Sequence, residues 1–402
     1  MYKINLYVNQ ELKNFHLIVI NSGFSRFGFS TFNLIIIWVI LYMTKTPVLS
    51  GLGDGFLSVP LFFSFIVGAY VDRFNKKKIL AILAGVIRSL SIIMIFIGIF
   101  LNNTLITLIS IYISAFLIGF TSDIINSIRA SWTKEFLNEE NYKRGTSFSN
   151  IVYSFAEGIG YIASGILISF GSFFAFFTIF FVFSISVIPV IYIKSKNNNP
   201  MVDVQIFGLI KEGFMFIKNN KAIWQIMIIS FIANLIFGMA GINFVTLVQL
   251  HYKLPGIYVS IIFAVLVFGI VFGSSIGRKI KGKLGRISII CFFIIGISLI
   301  SIYFIPNIYL ILIPATIIGL IIGIIDIAIG VTILKIIPQE MIARVQGTFN
   351  TFSVGIISFS GLIGGAGIQV IGVLNFFILM GAILIIILPM FFNFKEFYSI
   401  NI

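Results

Sequence analysis

The chain has 402 residues, of which 59% are hydrophobic and only 10% charged, against roughly 45–50% and 25% in soluble domains. Its mean hydropathy of +1.12 and its 46 phenylalanines exceed what one water-soluble core can hide, so a soluble globular fold is excluded. The net charge of +14 does not point to nucleic acid, because the basic residues sit in short segments between apolar runs, where they orient a membrane protein and meet anionic lipid.

A helix needs about 20 apolar residues to cross a hydrocarbon core of roughly 30 Å, with its backbone polar groups satisfied internally. The apolar runs here are continuous rather than alternating, which argues against a β-barrel. They predict twelve transmembrane helices, at 16–43, 48–71, 78–101, 104–132, 146–170, 172–193, 222–249, 256–277, 287–305, 308–337, 345–370 and 373–393. With the N-terminus inside, Lys3, Lys13, Arg73, Lys76, Lys77, Lys78, Lys134, Lys143, Arg144, the 194–221 stretch, Arg278 to Arg286, Arg344 and Lys395 fall on the cytoplasmic side. Only Lys45 and Lys253 fall outside. This asymmetry satisfies the positive-inside rule and predicts a multi-pass protein of the cell membrane with both termini cytoplasmic. The first run is too long for a secretory signal and lacks a small-residue cleavage site.

The expected fold is all-α, with an N-terminal six-helix bundle at 1–193 and a C-terminal one at 222–402. A cytoplasmic linker at 194–221 joins them. It opens as Lys-Ser-Lys-Asn-Asn-Asn-Pro; then Phe207, Ile210, Phe214 and Ile217 recur at helical spacing with Lys211, Glu212 and Lys218 among them. That pattern predicts an amphipathic helix on the membrane surface. The halves repeat: Glu140, Arg144, Asn150 and Gly165 align with Glu340, Arg344, Asn350 and Gly365 at an offset of 200. Two parallel six-span repeats about an axis along the membrane normal are one known transporter plan.

Catalytic chemistry has little to build on. Cys291 is the only cysteine and lies within a span, His16 and His251 are isolated, and no phosphate-binding loop is present. No enzyme activity, metal or cofactor is expected.

After span two the chain reads Gly68-Ala69-Tyr70-Val71-Asp72-Arg73-Phe74-Asn75-Lys76-Lys77-Lys78. This resembles the loop 2–3 signature of the major facilitator superfamily, Gly-x-x-x-Asp-Arg-x-Gly-basic-basic, with Asn75 in place of the second glycine. The equivalent second copy, Gly273 to Arg278, has Gly277 where the acid would be. The resemblance implies twelve helices in two pseudo-symmetric bundles, alternating access, and a conformational latch at Gly68, Asp72, Arg73, Lys76 and Lys77. In that reading Gly68 allows close helix approach, and Arg73 with the lysines pairs with Glu135, Glu139 or Glu140. The alternative reading is that the basic run only fixes topology. Glu212-Gly213-Phe214 and Ile337-Pro338-Gln339-Glu340 leading to Arg344-Val345-Gln346-Gly347 are similar to the macrolide-efflux-type branch of drug:proton antiporters. The proline of the antiporter pattern in span five is absent from Ala156 to Gly165.

A charge at mid-membrane costs at least about 2.5–3.5 kcal/mol, so each demands a partner or a task. Arg26, Arg88, Asp123, Glu157 and Asp326 fall near mid-depth, with Asp54 further out and Arg129 near an inner end. Arg26 and Arg88 are expected to balance Asp123 and Glu157, with Arg88 mainly structural. Asp326 has no basic residue at its depth in its own half, so it either pairs across the cleft or carries a proton. Glu157, Asp326, Asp123 and Arg26 are the candidates for proton coupling or substrate binding. Asn150, Ser154, Glu157, Tyr161 and Ser164 form a stripe on span five, and Ser22, Arg26, Ser30 and Asn33 one on span one. Gln225, Asn234 and Asn243 come from span seven. Such stripes line cavities, and they also mark plain helix–helix packing. The reading that unites these features is a monomeric transporter exchanging an amphipathic small molecule for protons across a lipid bilayer. Uptake of a nutrient or organic anion is the alternative within transporters, and a non-transporting sensor or a membrane enzyme the alternative outside them.

Overall fold

A computed structural model describes residues 2–74, 76–137, 139–194, 206–337, 342–353 and 355–401. Among these the chain is helical apart from short connecting turns and one isolated antiparallel bridge between Lys283 and Asn401. Eleven helices among the described residues are long and apolar enough to cross a membrane, and a twelfth apolar helix there is shorter.

The helices are α1 (Tyr2–Thr44), α2 (Pro47–Phe62), α3 (Ser64–Arg73), α4 (Lys77–Phe100), α5 (Thr104–Phe136), α6 (Glu139–Ser169), α7 (Ser172–Tyr192) and α8 (Ile206–Asn219). They continue as α9 (Lys221–Gly238), α10 (Ala240–Thr246), α11 (Ile257–Gly277), α12 (Leu284–Ser301), α13 (Ile308–Ile336), α14 (Ile342–Ser353), α15 (Ile357–Ile371), α16 (Val373–Ile386), α17 (Leu388–Asn393) and α18 (Lys395–Ser399). The predicted second span is thus two segments. Pro60 has no N–H to donate within the helix, and the chain tightens there into i→i+3 bonds, Phe63 N to Pro60 O and Ile66 N to Phe63 O, both 2.9 Å. The seventh span is also jointed, passing from α9 to α10 and then a π-helical turn at Leu247–His251.

The helix ends show why the elements stop where they do. Asn103, Asn220 and Asn307 cap α5, α9 and α13 through their side-chain oxygens. The internal repeat is legible in the backbone. Gly171 (φ 104°) turns α6 into α7 and Gly372 (φ 82°) turns α15 into α16, while Lys45 and Lys253 both hold φ 55° at corresponding loops.

Two compact units form, residues 1–43 with 53–204, and residues 44–52 with 205–402. In the first, α4 packs on α5 and α7, and α3 on α5. Phe15, Ile18, Val67, Val71, Ile128, Trp132 and Val190 share one buried cluster there. In the second, α11 and α13 run backbone to backbone through Gly269, Gly273 and Gly277 on one helix and Gly319 and Gly323 on the other. The linker helix α8 docks on α9 and α14. Phe214 meets Trp224 at 6.3 Å and Phe352 at 5.4 Å between ring centroids, and Ile217 is fully buried. These two residues of the expected membrane-facing stripe are therefore covered by protein; the side chains of Phe207 and Ile210 lie outside the described residues.

Candidate functional site

Arg26 sits about 24 Å along the span that begins at Gln10 and about 27 Å from its end at Thr44. A lone guanidinium there is costly, and the structure supplies a partner: Arg26 Nη2 donates to Glu157 Oε1 on α6. The approach depends on Gly160, where an added Cβ would fall 2.7 Å from the Phe27 carbonyl oxygen; Thr31 Oγ1 donates to the Gly160 carbonyl at 3.1 Å. The pair keeps side-chain exposures of 21% and 27%. Charged groups at that depth face water or other protein rather than hydrocarbon, so this side of the first unit is read as wet.

Arg26 also lies over the rings of Phe29 at 5.2 Å and Tyr153 at 4.8 Å. Arg129, on α5, approaches Tyr153 at 4.2 Å. Tyr161 is half-buried one turn beyond Glu157, and Ser164 donates to the Tyr161 carbonyl at 2.6 Å. Asn150 and Ser154 are exposed on the preceding turns.

Arg88 does not pair with Asp123, contrary to the expected charge balance. Its guanidinium, 1% exposed, donates from Nε to Thr121 Oγ1 at 3.2 Å, from Nη1 to Ser25 Oγ and from Nη2 to Ser122 Oγ at 2.6 Å, and lies 5.4 Å from the Phe183 ring. Neighbouring residues on a helix point about 100° apart, so the face of α5 that offers Ser122 to Arg88 turns Asp123 away. Asp123 instead accepts from Ser64 Oγ at 2.8 Å, beside the joint between α2 and α3. Asn33 donates to Asp54 at 2.6 Å, which commits its amide to that carboxylate.

The signature loop gives a mixed picture. The side chains of Asp72, Arg73, Glu139 and Glu140 lie outside the described residues, as does Asn75. Gly68 is not at a tight approach: an added Cβ would meet Ser127 Oγ at 3.7 Å, an ordinary contact. Lys76 is exposed, whereas Lys77 is buried and donates to Ser131 Oγ at 2.5 Å. Lys78 Nζ donates to the Ile191 and Ile193 carbonyls at 2.6 and 2.9 Å, tying the end of α7.

In the second unit Asp326 lies about 15 Å from the C-terminal end of α13. Its side chain is exposed and has no hydrogen-bond or ion-pair partner among the described residues. Arg344 and Asn350 are not described at side-chain level. The polar residues of the seventh span are helix–helix links. Asn234 donates to the Ser353 carbonyl at 2.7 Å and Asn243 to the Met380 sulfur at 2.7 Å, while Gln225 donates to Glu396 at 2.8 Å. No group of His, Cys, Asp and Glu suited to a metal occurs among the described residues.

Sequence placed Arg129 only as a charge near an inner end and did not mark Tyr153. Arg129 is about 10 Å from the end of α5, and a single tyrosine in a span carries no signal of its own.

The profile of the Major Facilitator Superfamily matches residues 18–361. A POT family transporter crystallised with a thioalcohol-conjugated peptide superposes with a TM-score of 0.74 at 12% identity, covering 95% of this chain and 96% of that one. The nucleoside transporter NupG gives 0.70 at 15% identity, covering 96% and 99%. The POT family transporter PepTSo gives 0.71 at 12%, covering 96% and 98%. These likenesses speak for the shared fold. No curated protein sequence matches the chain.

Proposed function

Because the chain belongs to the Major Facilitator Superfamily, and is thus an integral membrane transporter of that type, we propose that it exports amphipathic small molecules in exchange for protons by alternating access. The carrying observation is the pair of acidic sites. Glu157 is neutralised by Arg26 within the first unit. Asp326 stands on α13 with no partner among the described residues. A carboxylate that is exposed at membrane depth and unpaired takes up and gives back a proton as its hydration changes, which is the coupling step that exchange requires. The likeness of Glu212–Phe214 and Ile337–Gly347 to the macrolide-efflux branch supports export. In this reading both termini are cytoplasmic, the bundles are 1–193 and 222–402, the protein acts as a monomer, and Asp72 with Arg73 latches the cycle.

Proteoliposomes with an imposed pH gradient test the coupling. Asp326→Asn should abolish uphill transport of a drug-like probe while downhill exchange persists. Unchanged uphill transport by this variant removes Asp326 from the coupling role.

A further inference from the structure

The transporter reading leaves the charge of the cargo open, and the first unit constrains it. Helices α1, α5 and α6 bring two guanidinium groups to one ring, with Arg26 and Arg129 at 4.8 and 4.2 Å from Tyr153. Arginine stays protonated in proteins, so two permanent cations meet here. The one carboxylate bonded to either of them among the described residues is Glu157, held by Arg26. Asp54 and Asp123 accept from the neutral Asn33 and Ser64 rather than from either guanidinium, and no ion pair to Arg129 occurs among the described residues. Taken by itself the cluster carries one positive charge more than negative.

Its hydrogen-bond donors are also incomplete. Arg129 Nη1, Arg26 Nε and the hydroxyl of Ser22, one turn before Arg26 on α1, are shut from solvent without a hydrogen-bond partner. Ser22 is only 3% exposed. An unmade hydrogen bond leaves the desolvation cost of a buried group uncompensated, and more so at a charged one. Three such groups around two cations are a site short of an acceptor. A monoanion supplies the acceptor and brings the local charge to zero; a cation adds to the surplus, and a neutral molecule leaves it.

We propose that Arg26, Arg129 and Ser22, with the Tyr153 ring in contact with both guanidiniums, form the seat for the carboxylate of an organic monoanion, and that the transported molecule belongs to that class. This rests on the transporter reading above and adds the charge of the substrate. Arg129 is the discriminating residue, because Arg26 is already shared with Glu157.

The test uses the full chain in lipid nanodiscs and three probes of one skeleton: naphthoate, naphthylmethanol and naphthylmethylammonium. A ligand that binds the folded state raises the unfolding midpoint with its concentration. Naphthoate should raise it most and the ammonium compound least. Arg129→Gln should weaken the apparent affinity for naphthoate at least about tenfold, the scale of one hydrogen bond to a charged group. Its unliganded midpoint and its response to naphthylmethanol, both near wild type, would show that it folds. Arg129→Lys should recover part of the loss. The proposal is overturned if wild type does not respond to naphthoate up to millimolar concentration, if the ammonium compound binds as well as naphthoate, or if Arg129→Gln binds naphthoate like wild type. Failure of the transporter reading looks different: naphthoate would still bind, yet no probe would move against a gradient in proteoliposomes. Uphill movement of the ammonium compound instead would sink the anion seat and leave the transporter reading standing.

Discussion

The backbone contact between α11 and α13 offers a substitution with its own control. At Gly269 an added Cβ would lie 2.7 Å from the Thr316 carbonyl oxygen, 2.8 Å from the Leu320 nitrogen and 3.0 Å from the Gly319 carbonyl carbon. Every one of these is a main-chain atom, so no side chain can rotate away. Ordinary contact begins near 3.4 Å, so the helices must part locally by about 0.7 Å, and dispersion contacts along the seam weaken steeply over such a gap. The neighbouring glycines Gly273, Gly319 and Gly323 keep the rest of the seam equally close, so the shift cannot be confined to one turn. Overpacking of this kind costs about 1–3 kcal/mol. At Gly330, on α13, an added Cβ meets nothing within 4 Å. Both Gly→Ala changes gain the same helix propensity, up to about 1 kcal/mol, so their difference isolates the seam. In detergent or nanodisc unfolding, Gly269→Ala should be the less stable of the two by about 1–3 kcal/mol, and Gly330→Ala neutral or more stable than wild type. Equal stability of the two variants would refute the claim that main-chain contact sets this packing.

Two other expectations are simpler. Glu157→Gln removes the counter-charge of the partly exposed Arg26 guanidinium and should cost about 1–3 kcal/mol, whereas adding Arg26→Gln should restore part of that loss; strictly additive effects in the double-mutant cycle would mean that the two groups do not interact. At the C-terminus, Glu396 is held below the usual carboxylate range by the hydrogen bond from Gln225, its own backbone N–H and the nearby Lys221 and Lys395. A depressed carboxylate stabilises the fold above its unfolded value and loses that contribution as pH falls through the folded one. Protection of residues 395–399 from hydrogen exchange should therefore fall as the solution is acidified through and below the ordinary glutamate range, and Glu396→Gln should remove that dependence.

Hydropathy made the membrane helices legible, because a span must be apolar over its whole length whatever it packs against. That Arg26 needs a carboxylate was legible for a related reason, since opposite charges at equal depth have few other partners, but charge counting left open whether Asp123 or Glu157 supplies it. The joint after Pro60 was marked in the sequence by the proline itself, but a continuous apolar run hides the interruption. What sequence left open was whether a polar group bonds protein or water. Asn234, Asn243 and Gln225 fit cavity lining and helix packing alike, and each reaches another helix. An amide has the same composition whether its neighbour is solvent or a carbonyl. Arg88 was read against Asp123 because charge counting sees carboxylates; three hydroxyls from Ser25, Thr121 and Ser122 satisfy it, and serine and threonine are too common in helices to announce such a task.

That arrangement around Arg88 bears on how the chain is built into the bilayer. Ser25 belongs to a helix synthesised before α4, but Thr121 and Ser122 belong to α5, which follows it. A nascent chain that ends with α4 therefore holds its guanidinium in hydrocarbon with a single acceptor. Only the arrival of the next helix completes the set, which makes α4 and α5 natural partners for insertion as one hairpin rather than as two successive rods.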